Sequence, residues 1–389
     1  MIILFLYYAS TFLFLLGQLG RMSFLNQHIN MYFYEIPFVF LLVGLFFKYK
    51  FEPLRYFAKV TIPLGIFSFF MLFGLQLNSN LYQPLENAVA LLYYFRLLTY
   101  LFSIPYIIYY FMTEVRSVRH LQRGIMIISC ITIISAFIQY TLYPNLRNLL
   151  YLGWDPHLYR VFGVYFEPYL AAAAFGLFFY YLLELHSSHN IFKYIKYALI
   201  GLSSVLLGLT FSRIAYIAFA IVTVLYLVLK KKWLYMGLFL IMFGVVIALI
   251  PKPEGVGINL LRTFSIFTRI DNAKQGVDIW RKNPYFGVGY NRVGFARGEN
   301  RTDIYTEASH AASSFHSSFI TILAATGGIG FLLFLFVLYS LFSLSFLSGI
   351  LLVFISLISF GDNALLHPFI LFLLMQFIAA SYVSHPLHK

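Results

Sequence analysis

Apolar residues fill most of the chain in long runs, and short polar segments separate these runs. A bilayer core takes roughly 20 apolar residues per helix, so the runs predict about twelve transmembrane helices. The predicted spans are residues 1–20, 32–47, 60–77, 88–112, 124–143, 161–185, 197–212, 214–229, 233–250, 315–338, 341–360 and 365–384. The pattern predicts an all-α polytopic membrane protein with a single integral membrane domain over residues 1–389.

Basic residues occur in every second connection between these spans. Lys48, Arg116 and Lys230 each lie in such a connection, whereas residues 78–87 contain no lysine or arginine. Cytoplasmic loops carry an excess of Lys and Arg. The alternation therefore predicts that both termini are cytoplasmic and that residues 251–314 lie on the outer face of the membrane.

The one long polar segment, residues 251–314, is where we expect chemistry. Residues 265–282 have apolar side chains at helical spacing and are followed by Asn283 and Pro284, which predicts a helix inside the loop. Residues 285–298 are punctuated by glycine and are expected to be irregular. The loop contains the arginines Arg262, Arg269, Arg281, Arg292, Arg297 and Arg301.

Composition narrows the function classes. Hydrophobic residues make up 61% of the chain, charged residues 11%, and the mean hydropathy is +0.82, whereas about a quarter of a soluble domain is charged. A net charge of +13 is explained by basic cytoplasmic loops and an outer anion-binding face, so no nucleic-acid partner is expected. The single cysteine, Cys130, lies in an apolar run, and no side chains show metal-ligand spacing, so we predict no metal and no cofactor.

Arginines beside apolar runs are candidates for function, because charge in or near a bilayer is costly. Arg213 separates two apolar runs, where it either reaches lipid headgroups or binds phosphate through its planar fork. Arg269 falls in the first turn of the predicted loop helix, where a positive charge opposes the helix dipole. It lies either on a solvated face near acids such as Asp271 or in a functional site that compensates for this unfavourable position. Arg281 and Arg292 compete with it for that role.

Histidines and a carboxylate at other boundaries are the remaining candidates. His316 stands where the loop re-enters the membrane, as an interfacial side chain or as a general base, and His310 is the alternative. Arg160 and Glu167 are seven residues apart at the start of a predicted span, so a helix would place both on one face, although Pro168 disfavours helix at Glu167. They form either an internal ion pair or a site for the acceptor or a sugar.

Four elements resemble those of one family, in the family's order. Arg160 to Pro168 resembles its "R-x-x-G…P" element, Thr210 to Arg213 its "S-R", and Trp280 to Tyr290 its "W…P-x-x-G-V-G". His316 to Gly330 resembles "H-N-x-x-L…G-x-x-G", with Ser317 where the family usually has Asn. The ordered set resembles the bacterial O-antigen ligase and O-antigen polymerase superfamily.

The resemblance implies a metal-independent membrane glycosyltransferase of the GT-C type in the bacterial inner membrane, with its active site on the outer face. The implied donor is an undecaprenyl-diphosphate-linked glycan held among membrane lipids, and the acceptor is a glycan or a lipid-anchored glycan. His316, Arg213 and Arg269 would be catalytic. Arg160, Glu167, Arg281, Arg292 and His310 would bind substrate.

Three readings of function remain open at this point. The leading one is a polymerase that joins lipid-linked repeat units, which the Glu167-Pro168 form favours slightly. The second is a ligase or a protein O-oligosaccharyltransferase with the same donor. A transporter of lipid-linked sugars is less favoured, because transporters often carry internal repeats and none is visible here.

Overall fold

A computed structural model describes residues 1–24, 29–114, 117–152, 154–185, 190–249, 264–297 and 314–384. Much of the predicted outer loop, including His310, Arg262 and Arg301, lies outside these residues. The prediction that His310 binds substrate therefore has no structural counterpart.

The described chain is almost entirely helical, and each predicted span contains one helix. The helices are α1 (Ile2–Phe14), α2 (Glu35–Tyr49), α3 (Glu52–Tyr56), α4 (Ala58–Leu77), α5 (Pro84–Thr113), α6 (Ser117–Leu142), α7 (Pro168–Glu184), α8 (Asn190–Leu209), α9 (Arg213–Leu229), α10 (Trp233–Leu249), α11 (Phe264–Lys282), α12 (Val293–Ala296), α13 (Ser318–Phe342), α14 (Phe346–Ser359) and α15 (Pro368–Ser384). Helix α11 is the predicted loop helix, and its bounds confirm that prediction.

Four helices are long and apolar enough to cross a membrane: Ala58–Leu77, Pro84–Thr113, Val118–Leu142 and Ser318–Phe342. Six further apolar helices are 10–17 residues long, at or below the lower limit of about 17 residues for a span. The described residues are thus almost entirely helical and apolar, as predicted for a membrane protein, and the number of twelve spans stays a prediction.

One prediction about element bounds is wrong, and one element was not predicted. Residues 161–167 do not begin a helix, because Pro168 lacks an N–H and restricts the preceding residue, so Glu167 is extended (φ −130°, ψ 117°) and α7 begins at Pro168. An antiparallel hairpin of β1 (Arg21–Phe24) and β2 (Ile29–Tyr32) follows α1. Each strand has four residues, which is too short for alternation to be recognised in the sequence.

Helices α7 and α15 form the centre of the bundle. Side chains are buried around nearly their whole circumference, which explains their lack of a polar face. Helix α15 packs against α5, α6, α7 and α14. Helices α4 and α10 instead leave large apolar side chains exposed, such as Phe69 and Ile241, as expected of surfaces that face lipid.

The two ends of the bundle differ. At one end Lys48 pairs with Glu114 and Lys230 with Glu184. The other end carries the connections α1–α2, α6–α7, α11–α13 and α14–α15. These connections and the first half of α5 surround the cavity described below.

Candidate functional site

Arg269 lies on α11 and is anchored to the α14–α15 connection. Its Nη2 atom donates to Oδ1 of Asp362 at 2.6 Å, and the Asp362 side chain is 4% exposed. The acids expected beside Arg269 have other partners: Asp271 pairs with Lys274 and Asp278 with Arg281. Because α11 begins at Phe264, Arg269 is in the second turn and not the first, so the expected conflict with the helix dipole is small.

His316 is held in place by the residues around it, between α11 and α13. Its backbone N–H donates to Oδ1 of Asn272 on α11 at 2.9 Å. Ser317 caps α13 by accepting from the N–H of Ile320, and its own hydroxyl donates to the carbonyl of Ser359 at 3.0 Å. Ser317, at the position of the asparagine in the motif that the sequence resembles, thus caps α13 and fixes the backbone next to His316.

The surroundings of His316 favour its neutral form. Burial lowers the pKa of its imidazole, and the positive charges of Arg269 and Arg297 lower the pKa further, while Glu167 and Asp155 act in the opposite direction. Four charged groups from three segments therefore act on one ring. A neutral imidazole at neutral pH is the form that accepts a proton.

Arg213 is the first residue of α9 and lies beside this group. It interacts electrostatically with both Arg269 and Asp362. A Cβ atom on Gly361 would lie 2.6 Å from Cδ1 of Ile214 and 3.9 Å from Nη1 of Arg269, which shows how closely the start of α9 approaches Arg269. The structure thus brings Arg213, Arg269 and His316 together.

Arg160 and Glu167 do not share a helix face, because residues 160–167 are not a continuous helix. Arg160 is buried, and its Nε donates to the carbonyl of Thr210 at 2.8 Å, just before the turn that leads to Arg213. Glu167 lies 3.6 Å from Nε2 of His157 and lines the cavity. Of this predicted pair, Glu167 reaches the space next to His316 and Arg160 supports the turn.

The other predicted arginines lie elsewhere. Arg281 is exposed on α11, where Nη1 is 3.3 Å from Oδ1 of Asp278. Arg292 is 2% exposed, donates to the carbonyl of Leu75 at 2.9 Å, and stacks over the ring of Tyr82 at 4.6 Å. Arg292 therefore connects the loop to the α4–α5 region.

Glu167, whose charge acts on His316, lines a cavity of about 350 Å³, within the range of about 300–1,000 Å³ that is usual for ligand sites. Ser314, Asn363 and Glu167 line it near His316, and Arg21 and Arg96 line it at another part of its wall. Its aromatic lining consists of Tyr32, Tyr93, Tyr100, Trp154, Tyr169, Tyr290 and Phe295. Aromatic faces with polar tips provide both apolar contact and hydrogen bonds, a lining suited to sugars.

The part of the chain that holds this group matches a known family. Residues 198–335 match the family model described as O-Antigen ligase. This match confirms the resemblance to the O-antigen ligase and polymerase superfamily. Arg213, Arg269 and His316 all fall inside the matched residues, and among curated proteins none matches the chain.

The glycine motifs within the matched residues hold the loop against α13. Gly287 and Gly327 have positive φ angles of 65° and 68°. The N–H of Gly289 donates to the carbonyl of Ala325 at 2.8 Å, and the N–H of Gly328 to that of Pro284 at 2.7 Å. A Cβ on Gly287 would lie 2.4 Å from the backbone carbon of Ala325. Close backbone contact explains why glycine stands at these positions.

Two residues of the site were not predicted. Asp362 is the carboxylate between the last two apolar runs of the sequence. Its position beside membrane helices was the feature that could have marked it as a candidate site residue. Arg297 was noted only as one of the loop arginines. Within the described residues, no group of three His, Cys, Asp or Glu side chains is placed to hold a metal ion, and metal independence stays a prediction.

Proposed function

We propose that this protein transfers a glycan from a prenyl-diphosphate carrier to an acceptor hydroxyl at the outer face of the bacterial inner membrane. The observation that carries the proposal is that Arg269 acts on both His316 and Arg213, and that Glu167, whose charge also acts on His316, lines a cavity with aromatic walls. The family match supports the same class of membrane enzyme.

Each residue has a defined part in the proposed reaction. The bond between the anomeric carbon and the diphosphate oxygen breaks, and the acceptor oxygen bonds to that carbon. The acceptor proton passes to a ring nitrogen of His316. Arg213 and Arg269 bind the diphosphate, which leaves with the electron pair of the broken bond, and Asp362 holds Arg269 in position.

A carrier of this kind accounts for the location of the site. The prenyl chain stays in the bilayer, while the sugars enter the cavity. The basic end of the bundle, with Lys48 and Lys230, would face the cytoplasm, so that both termini are cytoplasmic and the cavity opens outward. The twelve-span GT-C arrangement and the undecaprenyl carrier belong to this proposal.

We favour a polymerase, in which the acceptor is another lipid-linked repeat unit and Glu167, at the cavity wall, contacts its sugars. A ligase is the second candidate, since the matching family model is described as O-Antigen ligase.

The two candidates differ in the acceptor that they need. Purified protein in liposomes is given a radiolabelled lipid-linked repeat unit, alone or with a lipid-anchored core glycan. A polymerase gives a ladder of lengthening lipid-linked chains from the repeat unit alone. Label that appears only on the added core would establish the ligase and overturn the polymerase. Label that is transferred to neither acceptor would overturn the transferase.

A further inference from the structure

The cavity has a second cationic region, formed by Arg21 of the hairpin and Arg96 of α5. Arg96 makes a bidentate pair with Glu35, at 2.7 and 2.9 Å, and its Nη1 donates to the carbonyl of Asn30 at 2.9 Å. Arg21 donates through Nε and Nη2 to Oδ1 of Asn30 at 3.1 and 2.8 Å. Arg21 and Arg96 thus place two guanidinium groups at this wall of the cavity, where positive charge favours an anion.

An apolar groove of about 600 Å³ adjoins this wall. Gln18, Arg21 and Trp154 line both the cavity and the groove, so these side chains stand between the two spaces. The rest of the groove is mostly apolar and is formed by the residues that follow α1, the outer half of α6 and residues 162–166.

The groove opens toward lipid. Leu19 is 70% exposed and Ile138 is 53% exposed. Ile131, Ile134, Ile138 and Leu142 are all exposed and follow one stripe of α6 at helical spacing. In a membrane helix such a stripe faces hydrocarbon, so a chain lying in the groove has a direct path to the bilayer.

We infer that the groove and Arg21 form a second prenyl-diphosphate site, which holds the lipid-linked acceptor. The prenyl chain lies in the groove, the diphosphate contacts Arg21 with Arg96 behind it, and the sugars extend through the cavity toward His316. The inference rests on the proposed polymerase. It gives that enzyme two diphosphate sites, one at Arg213 and Arg269 for the donor and one at Arg21 for the acceptor.

The combination of features favours this occupant over a bulk phospholipid. A phospholipid has acyl chains and a headgroup phosphate, but no sugar chain to fill the aromatic cavity that continues from Arg21. A lipid-linked repeat unit matches all three parts in the order in which they occur: an apolar groove, a guanidinium, and a cavity that leads to the proposed base.

Binding stoichiometry tests the site without relying on activity. The intact protein in nanodiscs of neutral lipid is titrated with radiolabelled geranylgeranyl diphosphate. We expect two bound molecules per chain. Arg21→Gln should bind one, and Arg213→Gln should also bind one. Arg147→Gln is the matched control, since Arg147 is an exposed arginine on the same connection as Trp154 and lines neither space; it should bind two.

Kinetics then distinguish the acceptor site from the donor site. Arg21→Gln should raise KM for the lipid-linked acceptor about tenfold, because charge-assisted hydrogen bonds to phosphate are lost, and Arg21→Lys should recover part of this loss. The KM for the same glycan released from its lipid should not change. Ile138→Trp, which fills the groove from its lipid side, should have the same selective effect and leaves Arg21 intact.

The outcomes separate this inference from the proposed function. A glycan ladder from a protein that binds one prenyl diphosphate, with Arg21→Gln unchanged, would overturn the inference and keep the polymerase. Two bound molecules of which Arg21→Gln loses one, without any transfer, would keep the site and overturn the polymerase. Displacement from the Arg21 site by an equal concentration of phosphatidylglycerol would identify a bulk-lipid groove and overturn the inference.

Discussion

The protonation state of His316 depends on arginines from two different segments. Arg269 comes from α11, and Arg297 follows α12. Both lower the pKa of the imidazole, after the larger effect of burial. A base of this kind is ready to accept a proton at neutral pH and loses its function only when the pH falls through its lowered pKa.

Removal of one of these charges should shift the pH dependence of the reaction. Arg297→Gln raises the pKa of His316, so the acid limb of the rate profile should move to higher pH. The measurement is the transfer rate between about pH 5 and 8, the range in which histidines titrate. Lys274→Gln removes an exposed charge from α11 and should leave the profile unchanged. An unshifted acid limb in Arg297→Gln would contradict the assignment of His316 as the titrating base.

The contact between Arg269 and Asp362 should behave as one unit. Asp362→Asn should lower the transfer rate about tenfold, because a charged hydrogen bond that positions the guanidinium is weakened. The double variant with Arg269→Gln should be no slower than Arg269→Gln alone. Multiplicative losses in the double variant would show that Asp362 acts independently of Arg269. Asp278→Asn, which removes an exposed partner of Arg281, is the control and should change the rate less than about twofold.

Sequence reasoning identified one partner of this contact and missed the other. Arg269 was recognisable because it lies in a polar loop that resembles a family motif. Asp362 is 93 residues away, and no local pattern connects a carboxylate between two apolar helices with an arginine on α11. The position of Arg160 was likewise noticed, but its contacts with backbone carbonyls of the α8–α9 turn depend on tertiary packing.

At the scale of elements, residues 284–289 pack against the break in α13 at residues 324–328, and we call this backbone contact the joint. Helix α13 is interrupted at Gly327, whose φ of 68° is not helical, and the loop backbone occupies the gap that results. The joint fixes α11 relative to α13.

A methyl group at this joint should destabilise the protein. Gly287→Ala combines a positive φ with a backbone clash and should lower the free energy of unfolding by roughly 2–3 kcal/mol. Gly65→Ala is the control, since it lies inside α4 with open space around it, and it should be neutral or stabilising by about 0.5–1 kcal/mol. Thermal unfolding in detergent, followed by circular dichroism, measures both. Equal stability of the two variants would contradict the claim that the backbone contact at Gly287 stabilises the protein.

The helices were predictable because long apolar runs leave few alternatives in a bilayer. The ends of the helices were less predictable where a proline or a turn determines the local backbone conformation. Pro168 was recognised as unfavourable for helix at Glu167, but the apolar run alone set the bounds of the span expected at 161–185, whereas α7 begins at Pro168. The hairpin of β1 and β2 was missed because its four-residue strands lie between two apolar helices, and its register depends on Arg21, Asn30 and Arg96 meeting across the fold.

At the scale of the whole molecule, the cavity belongs to one end of the bundle and most of the lysines to the other. The orientation that follows can be measured with single cysteines in a Cys130→Ser background. Asn80→Cys, in the α4–α5 connection, should react with a membrane-impermeant thiol reagent added to intact cells. Lys232→Cys, in the α9–α10 connection, should react only after permeabilisation. The reverse result would place the cavity on the cytoplasmic side and contradict the proposed function.

The central claim is that His316 is the base of a lipid-linked glycan polymerase that needs no metal ion. The most direct test is reconstitution with lipid-linked repeat units in the presence of a chelator, with products resolved by length, for the wild type and His316→Ala. Binding of geranylgeranyl diphosphate serves as the folding control for the variant. We expect a full ladder from the wild type and, since general-base catalysis contributes about 10²–10⁴-fold, almost none from His316→Ala. A ladder of equal length and rate from His316→Ala would contradict the mechanism, and a wild-type ladder that the chelator abolishes would contradict metal independence.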